Sequence, residues 1–279
     1  MRRAVVIALA GALALVAAVA LGLRWATRPN VLHVAVVAES DEHRVLATAA
    51  SQFQRERAAV RLRLTLVPDL AASGAAMEAD KADLAVVRSD VGMPPSGQTA
   101  LIMRRSAAIL LAPPGAALAA VPDLKDRTIG ILRGPPGGGA ANSQLLDRVL
   151  AQYDIAPDSV RRTILPLSEA AHALQTKAID ALLVIGAPTT GLTADAVATL
   201  SLANGGASPV FIPIAEAKAI AQRDPAFDSI EVIRGAFGGA SPKPAEPFET
   251  LGVTTRLVAR TSLRDSVVGE VTRQMLAAR

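Results

Sequence analysis

The sequence predicts an α/β protein of two lobes preceded by an N-terminal hydrophobic helix. Three observations carry this expectation. Residues Ala4 to Leu23 form an uninterrupted apolar run. Beyond it, short apolar runs alternate with amphipathic segments, the rhythm of α/β structure. About 250 residues then remain, enough for two lobes of about a hundred residues each.

The leader is laid out as an export signal. Arg2 and Arg3 precede the apolar run, and Arg24, Trp25 and Arg28 follow it. About 20 residues at roughly 1.5 Å per residue span a bilayer, and a basic start followed by an apolar core is the pattern of secretion. Ala18-Val19-Ala20 resembles a cleavage site, so a removed signal and a retained inner-membrane anchor over residues 4–23 both fit. Either places the rest of the chain in the periplasm. The leader also explains the net charge of +4: four of the 29 Lys and Arg lie in the first 28 residues with no acid, leaving 25 basic against 25 acidic residues. A neutral body gives no electrostatic case for nucleic acid, which needs clustered positive charge. There is no cysteine, which removes disulfides, thiolate metal sites and cysteine nucleophiles, and three His, one Trp and one Tyr leave few of the usual catalytic side chains.

Val31 to Val37 reads as a buried strand. Ser40 or Asp41 then caps a helix whose stripe is Val45, Leu46, Ala49, Ala50 and Phe53. Leu62, Leu64 and Leu66 alternate with Arg61, Arg63 and Thr65 as a strand with one wet face. Leu84 to Val87 is a further strand, residues 92–98 a loop, and Ala107 to Ala112 a strand stopped by Pro113-Pro114. Strand Thr128 to Leu132 leads through a Gly/Pro-rich loop to a helix from Ala141 to Gln152. A strand from Thr163 to Leu167, a helix capped by Ser168, and a strand from Ala181 to Ile185 come next. Val210 to Ile214, a helix over Ala215 to Gln222, and Ile230 to Ile233 follow. Residues 235–249 read as a surface loop, Gly252 to Val258 as a strand, and Ser262 as the cap of a final helix.

The most informative motif is Arg133-Gly134-Pro135-Pro136-Gly137-Gly138-Gly139 between a strand and a helix. Glycines let backbone amides approach a ligand, and the free N–H groups of the helix that follows favour an anion. Gly139 is followed by Ala140-Ala141, so the lysine of a P-loop is missing, and Asn142 breaks the dinucleotide fingerprint. A tight turn with no ligand fits equally, and no cofactor is implied. Arg88 and Arg133 each follow a strand end, where open α/β sheets place their crevice and where arginine grips carboxylates. Glu39-Ser40-Asp41-Glu42-His43 reads as a capped helix start rather than a metal site, and no nucleophile elbow or paired-carboxylate signature is present.

The order of segments resembles the solute receptors of the TAXI branch of TRAP transporters, within the type II periplasmic-binding-protein fold. The matching phrases are Ala82 to Val91, Asp123 to Ile131, Gly137 to Ala140, Leu167 to Leu174, Ile179 to Pro188 and Thr250 to Val253. The resemblance implies hinge-connected lobes, residues 31–108 plus 253–279 and residues 109–252, crossing near 107–112 and 250–258. It also implies a small organic acid bound between them, delivered to a TRAP-type permease. Glu39, Ser40, Arg88, Ser89, Asp90, Arg133, Gly137, Gly138, Gly139, Asn142, Gly186 and Pro188 would line the cleft, with no catalytic or metal-ligating residue. The acidic loop after the first strand departs from the family's glycine- and tyrosine-rich one and disfavours an anion. A membrane-anchored sensory or partner-docking module on the same fold is the second expectation, and a transferase-type enzyme the third.

Overall fold

The computed structural model describes residues 29–134, 137–238 and 240–277. The expected leader helix therefore lies outside the described residues, as do Pro135 and Pro136. Among the described residues, no helix is long and apolar enough to cross a membrane.

The chain begins with β1 (Asn30–Val37), α1 (Asp41–Arg55), β2 (Val60–Val67), α2 (Leu70–Glu78), β3 (Leu84–Arg88) and β4 (Gly97–Ala112). It continues with β5 (Thr128–Leu132), α3 (Gly138–Gln152), β6 (Arg161–Leu165), α4 (Leu167–Gln175), β7 (Ala181–Gly186) and α5 (Leu192–Ala203). The last elements are β8 (Val210–Ile212), α6 (Ala217–Arg223), β9 (Phe227–Val232), β10 (Phe248–Arg260) and α7 (Asp265–Ala277). The strands form one sheet in the order β2-β1-β3-β10-β4-β7-β5-β6, with β8 added on β4 and β9 on β10.

Two parallel triads flank a central antiparallel pair. β1 pairs in parallel with β2 and β3, and β5 with β6 and β7. Between them β10 runs antiparallel to β3 and to β4, and β4 antiparallel to β7. The β4–β10 register shifts after Thr255 and after Leu257, and such bulges bend a strand pair locally. Each triad has its own core. α1 and α7 cover one face of the first with Leu46, Phe53, Val271 and Met275, and α2 covers the other with Met77. α3 and α6 cover one face of the second with Leu145, Val149 and Ile220, and α4 and α5 the other with Leu174, Val197 and Leu200.

Several boundaries differ from those read in the sequence. β4 begins at Gly97, inside the expected loop, because Gln98-Thr99 and Arg104-Arg105-Ser106 break its first half into short blocks that show no strand period. α2 and α5 were not anticipated: Leu70–Glu78 is mostly small residues and Leu192–Ala203 mixes apolar and polar around the helix, so neither shows a stripe. α3 begins at Gly138 rather than Ala141. The strand expected over 163–167 ends at Leu165, and Pro166, not Ser168, precedes α4. α7 starts at Asp265, three residues beyond Ser262. Val45 is 52% exposed and Leu66, on the edge strand β2, 54%.

Candidate functional site

The C-terminal ends of β1 and β3 in one half, and of β5 and β7 in the other, converge on the central pair. There the N-terminal turns of α1 and α3 face each other across a seam. Ser40 is the N-cap of α1: its Oγ accepts from the His43 N–H at 3.0 Å and donates to the Val37 carbonyl at 2.7 Å. The chain turns into that cap through Glu39, whose φ of 59° is left-handed and whose side chain is exposed. The acidic run is thus a helix start. Among the described residues, no group of three His, Asp or Glu comes together to hold a metal ion.

Arg88, at the end of β3, is 8% exposed and bridges the seam. Its Nε and Nη2 donate to the two oxygens of Asp90 at 2.6 and 2.8 Å, a bidentate pair whose carboxylate side is 3% exposed. Its Nη1 donates to Oδ1 of Asn142, in the first turns of α3, at 2.8 Å. Asn142 Nδ2 donates in turn to the Leu132 carbonyl at 3.3 Å. Ser89 holds this turn to β10, donating its N–H to the Thr254 carbonyl at 2.9 Å and accepting the Thr254 N–H on Oγ at 3.0 Å.

The glycines of the β5–α3 turn make room for the protein's own chain. Gly137 has φ 77°, and a Cβ there would lie 2.3 Å from Cβ of Asp69, the N-cap of α2 in the other half. A Cβ on Gly139 would stand 2.9 Å from the Ile164 side chain. Gly186 ends β7, buried against Thr193. Pro188 is half-buried in the following loop, and Arg133 is exposed.

What remains between the halves is a void of about 50 Å³. Of the residues singled out in the sequence, Ser40, Arg88, Gly138 and Asn142 border it. Glu39, Ser89, Asp90, Arg133, Gly137, Gly139, Gly186 and Pro188 are not among its walls. Among the polar wall residues, Arg104, Ser106 and Thr255 escaped the sequence reading, and Glu42 was read there only as part of a helix start. Arg104 donates to Asp41 at 2.9 Å, and its Nη2 lies 2.7 Å from Glu42 Oε1. Arg44 also pairs with Asp41. The Arg44 hydrogen bond is the main cause holding the Asp41 carboxyl below its ordinary range; partial burial opposes it and Arg104 adds to it. No motif surrounds Arg104 or Ser106; the only signal was the polar triplet Arg104-Arg105-Ser106 ahead of the apolar end of β4.

A second and larger concavity, about 600 Å³, lies on the outer face of the first half between α1, β4 and α7. Val45, Leu101, Met103 and Met275 line it, and it shares Glu42 and Arg104 with the seam.

No protein-family model matches the chain, and no curated protein matches it in sequence. Solved structures do match. XAC2383 from Xanthomonas citri bound to ATP superposes with a TM-score of 0.54 at 12% identity, over 89% of this chain and 83% of that one. XAC2383 bound to chloride ion gives 0.54 at 10% identity, over 88% and 83%. The alkanesulfonate-binding protein SsuA from Xanthomonas axonopodis pv. citri bound to MOPS gives 0.43 at 16% identity, over 90% and 73%. The likeness to XAC2383 shows a shared mixed α/β fold.

Proposed function

We propose that this chain is an extracytoplasmic solute-binding protein that captures a small organic anion between two lobes and delivers it to a TRAP-type permease. The lobes are residues 31–108 plus 253–279 and residues 109–252, moving on β4 and β10. The observation that carries the reading is the seam. Two halves with separate cores meet at the carboxyl ends of their parallel strands, where α/β sheets bind ligands. The meeting point holds two arginines, buried hydroxyls and the N-terminus of α3. Arg88 rather than Arg133 is the strand-end arginine that lies there, its charge paired with Asp90. Separately cored halves sharing two long strands suit hinge closure, and Arg88–Asn142 is the bond such a hinge makes and breaks. The apolar run over residues 4–23 would direct the chain across the inner membrane, as a cleaved signal or an anchor.

The test is the thermal midpoint of the full chain against small carboxylates, amino acids and phosphates. A ligand that binds only the folded state raises the midpoint with concentration. A carboxylate-specific rise supports the reading, and a flat panel from a folded protein rejects it. A flat panel would favour the second reading, a sensory or partner-docking module. The observation behind that alternative is the outer groove, which is far larger than the closed seam.

A further inference from the structure

We infer that the seam takes a compact anion, a halide or a one- or two-carbon carboxylate, held by the hydroxyls of Ser106 and Thr255 and the first-turn amides of α3. This deepens the solute-binding reading and rests on it. The first ground is size. About 10–15 Å³ of such space holds one water, so the void of about 50 Å³ holds roughly three to five waters or an anion of about as many heavy atoms. Any larger solute has to part Arg88 from Asn142 and lift Gly137 off Asp69.

The second ground is the pair of hydroxyls. Ser106 and Thr255 are each 4% exposed and both border the void. No hydrogen bond among the described residues engages either hydroxyl, so both are free to meet a group bound in the void. Register places them together: Thr255 lies opposite Arg104 and opposite Arg88, and Ser106 lies opposite Val253. Directly opposed residues project to one face of a sheet, as do residues two apart on a strand. Arg104, Ser106, Thr255 and Arg88 therefore share the face that carries the void.

The third ground is the sign of the surroundings. Arg88 is balanced by Asp90, and Arg104 by Asp41 and Glu42, so the ion pairs leave little net charge. What is left over is donors. Ser106 and Thr255 each have an O–H to give, a guanidinium has five N–H groups of which Arg88 uses three, and Arg104 Nε is buried without a partner among the described residues. α3, fifteen residues long, opens on the void at Gly138, and the first N–H groups of a helix have no acceptor within it. Glu42, the carboxylate bordering the void, is engaged by Arg104 and leaves no free acid for a cation.

The test is calorimetric titration of the full chain with sodium formate and with sodium succinate. The chain is compared with a Ser106→Ala/Thr255→Val double variant and with Thr255→Ser, each shown folded by its thermal midpoint. Formate should bind, the double variant should weaken it by about tenfold or more, and Thr255→Ser should keep most of the affinity. Formate binding unchanged in the double variant overturns the inference. Succinate binding without formate overturns the size argument while leaving the solute-binding reading standing. Failure of both ligands, and of the wider panel, removes both.

Discussion

The Arg88–Asp90 pair supplies the sharpest quantitative expectation. Asp90→Ala removes both acceptors, at 2.6 and 2.8 Å, from a guanidinium that is 8% exposed. Removing one partner of a buried ion pair costs about 3–5 kcal/mol, because the surviving buried charge is left uncompensated. Arg88 borders a small void that admits water, which puts this case at the low end, about 3 kcal/mol. Urea unfolding followed by far-ultraviolet circular dichroism reads it. With a urea dependence of about 1–3 kcal/mol per molar, the midpoint should fall by about 1 M or more. The companion variant Arg88→Met/Asp90→Leu replaces the pair with apolar atoms of similar volume and should recover most of that loss. An Asp90→Ala loss below about 1 kcal/mol, the range of exposed pairs, refutes the burial argument. A double variant as unstable as the single one shows that shape, not charge, sets the cost.

Other consequences follow from the same geometry. Gly137→Ala adds about 1–2 kcal/mol of left-handed strain and drives a Cβ into Asp69 across the seam. Amide exchange in the first turn of α3 should quicken while β1 keeps its protection; equal change in both would mean general destabilisation instead. Ser40→Ala removes the α1 cap and should cost about 1 kcal/mol, with Ser40→Thr recovering most of it in the same thermal melt. Asp41 sits in an exposed network, so Asp41→Asn should cost under about 1 kcal/mol near neutral pH. Its folded pKa is lowered, so that contribution is complete above the ordinary value of about 3.9 and fades as pH falls through the lower folded value. The wild type and Asp41→Asn should therefore unfold at the same urea concentration at strongly acidic pH; a gap that persists there contradicts the assignment.

Much of the fold was legible in the sequence because its buried strands are continuous apolar runs. Leu84 to Val87 and Ala181 to Ile185 had to be interior whatever their partners were. The stretch before Ala107 was obscure for the opposite reason. Its residues contact the outer groove, the seam and β10 in turn, so their polarity follows no single face. The helices α2 and α5 were silent because small residues pack close without a bulky stripe. At the site, Arg88, Ser40, Gly138 and Asn142 could be found from strand ends and a glycine turn. Arg104, Ser106 and Thr255 could not: they become neighbours only through the antiparallel pairing of two strands about 150 residues apart in sequence. The glycines have a packing reason that the sequence does not show, since Gly137 and Gly139 make room for Asp69 and Ile164.

The central claim is that a solute draws two halves together across this seam. The chain has no cysteine, so Ser51→Cys on α1 and Gln144→Cys on α3, both exposed positions, can be spin-labelled without background. Dipolar electron-resonance distances between them then report the separation of the halves directly. The account predicts a broad distribution reaching longer separations without anion, collapsing to one short distance on saturation with formate. A single distribution unchanged by formate, by succinate and by the wider carboxylate panel would contradict it.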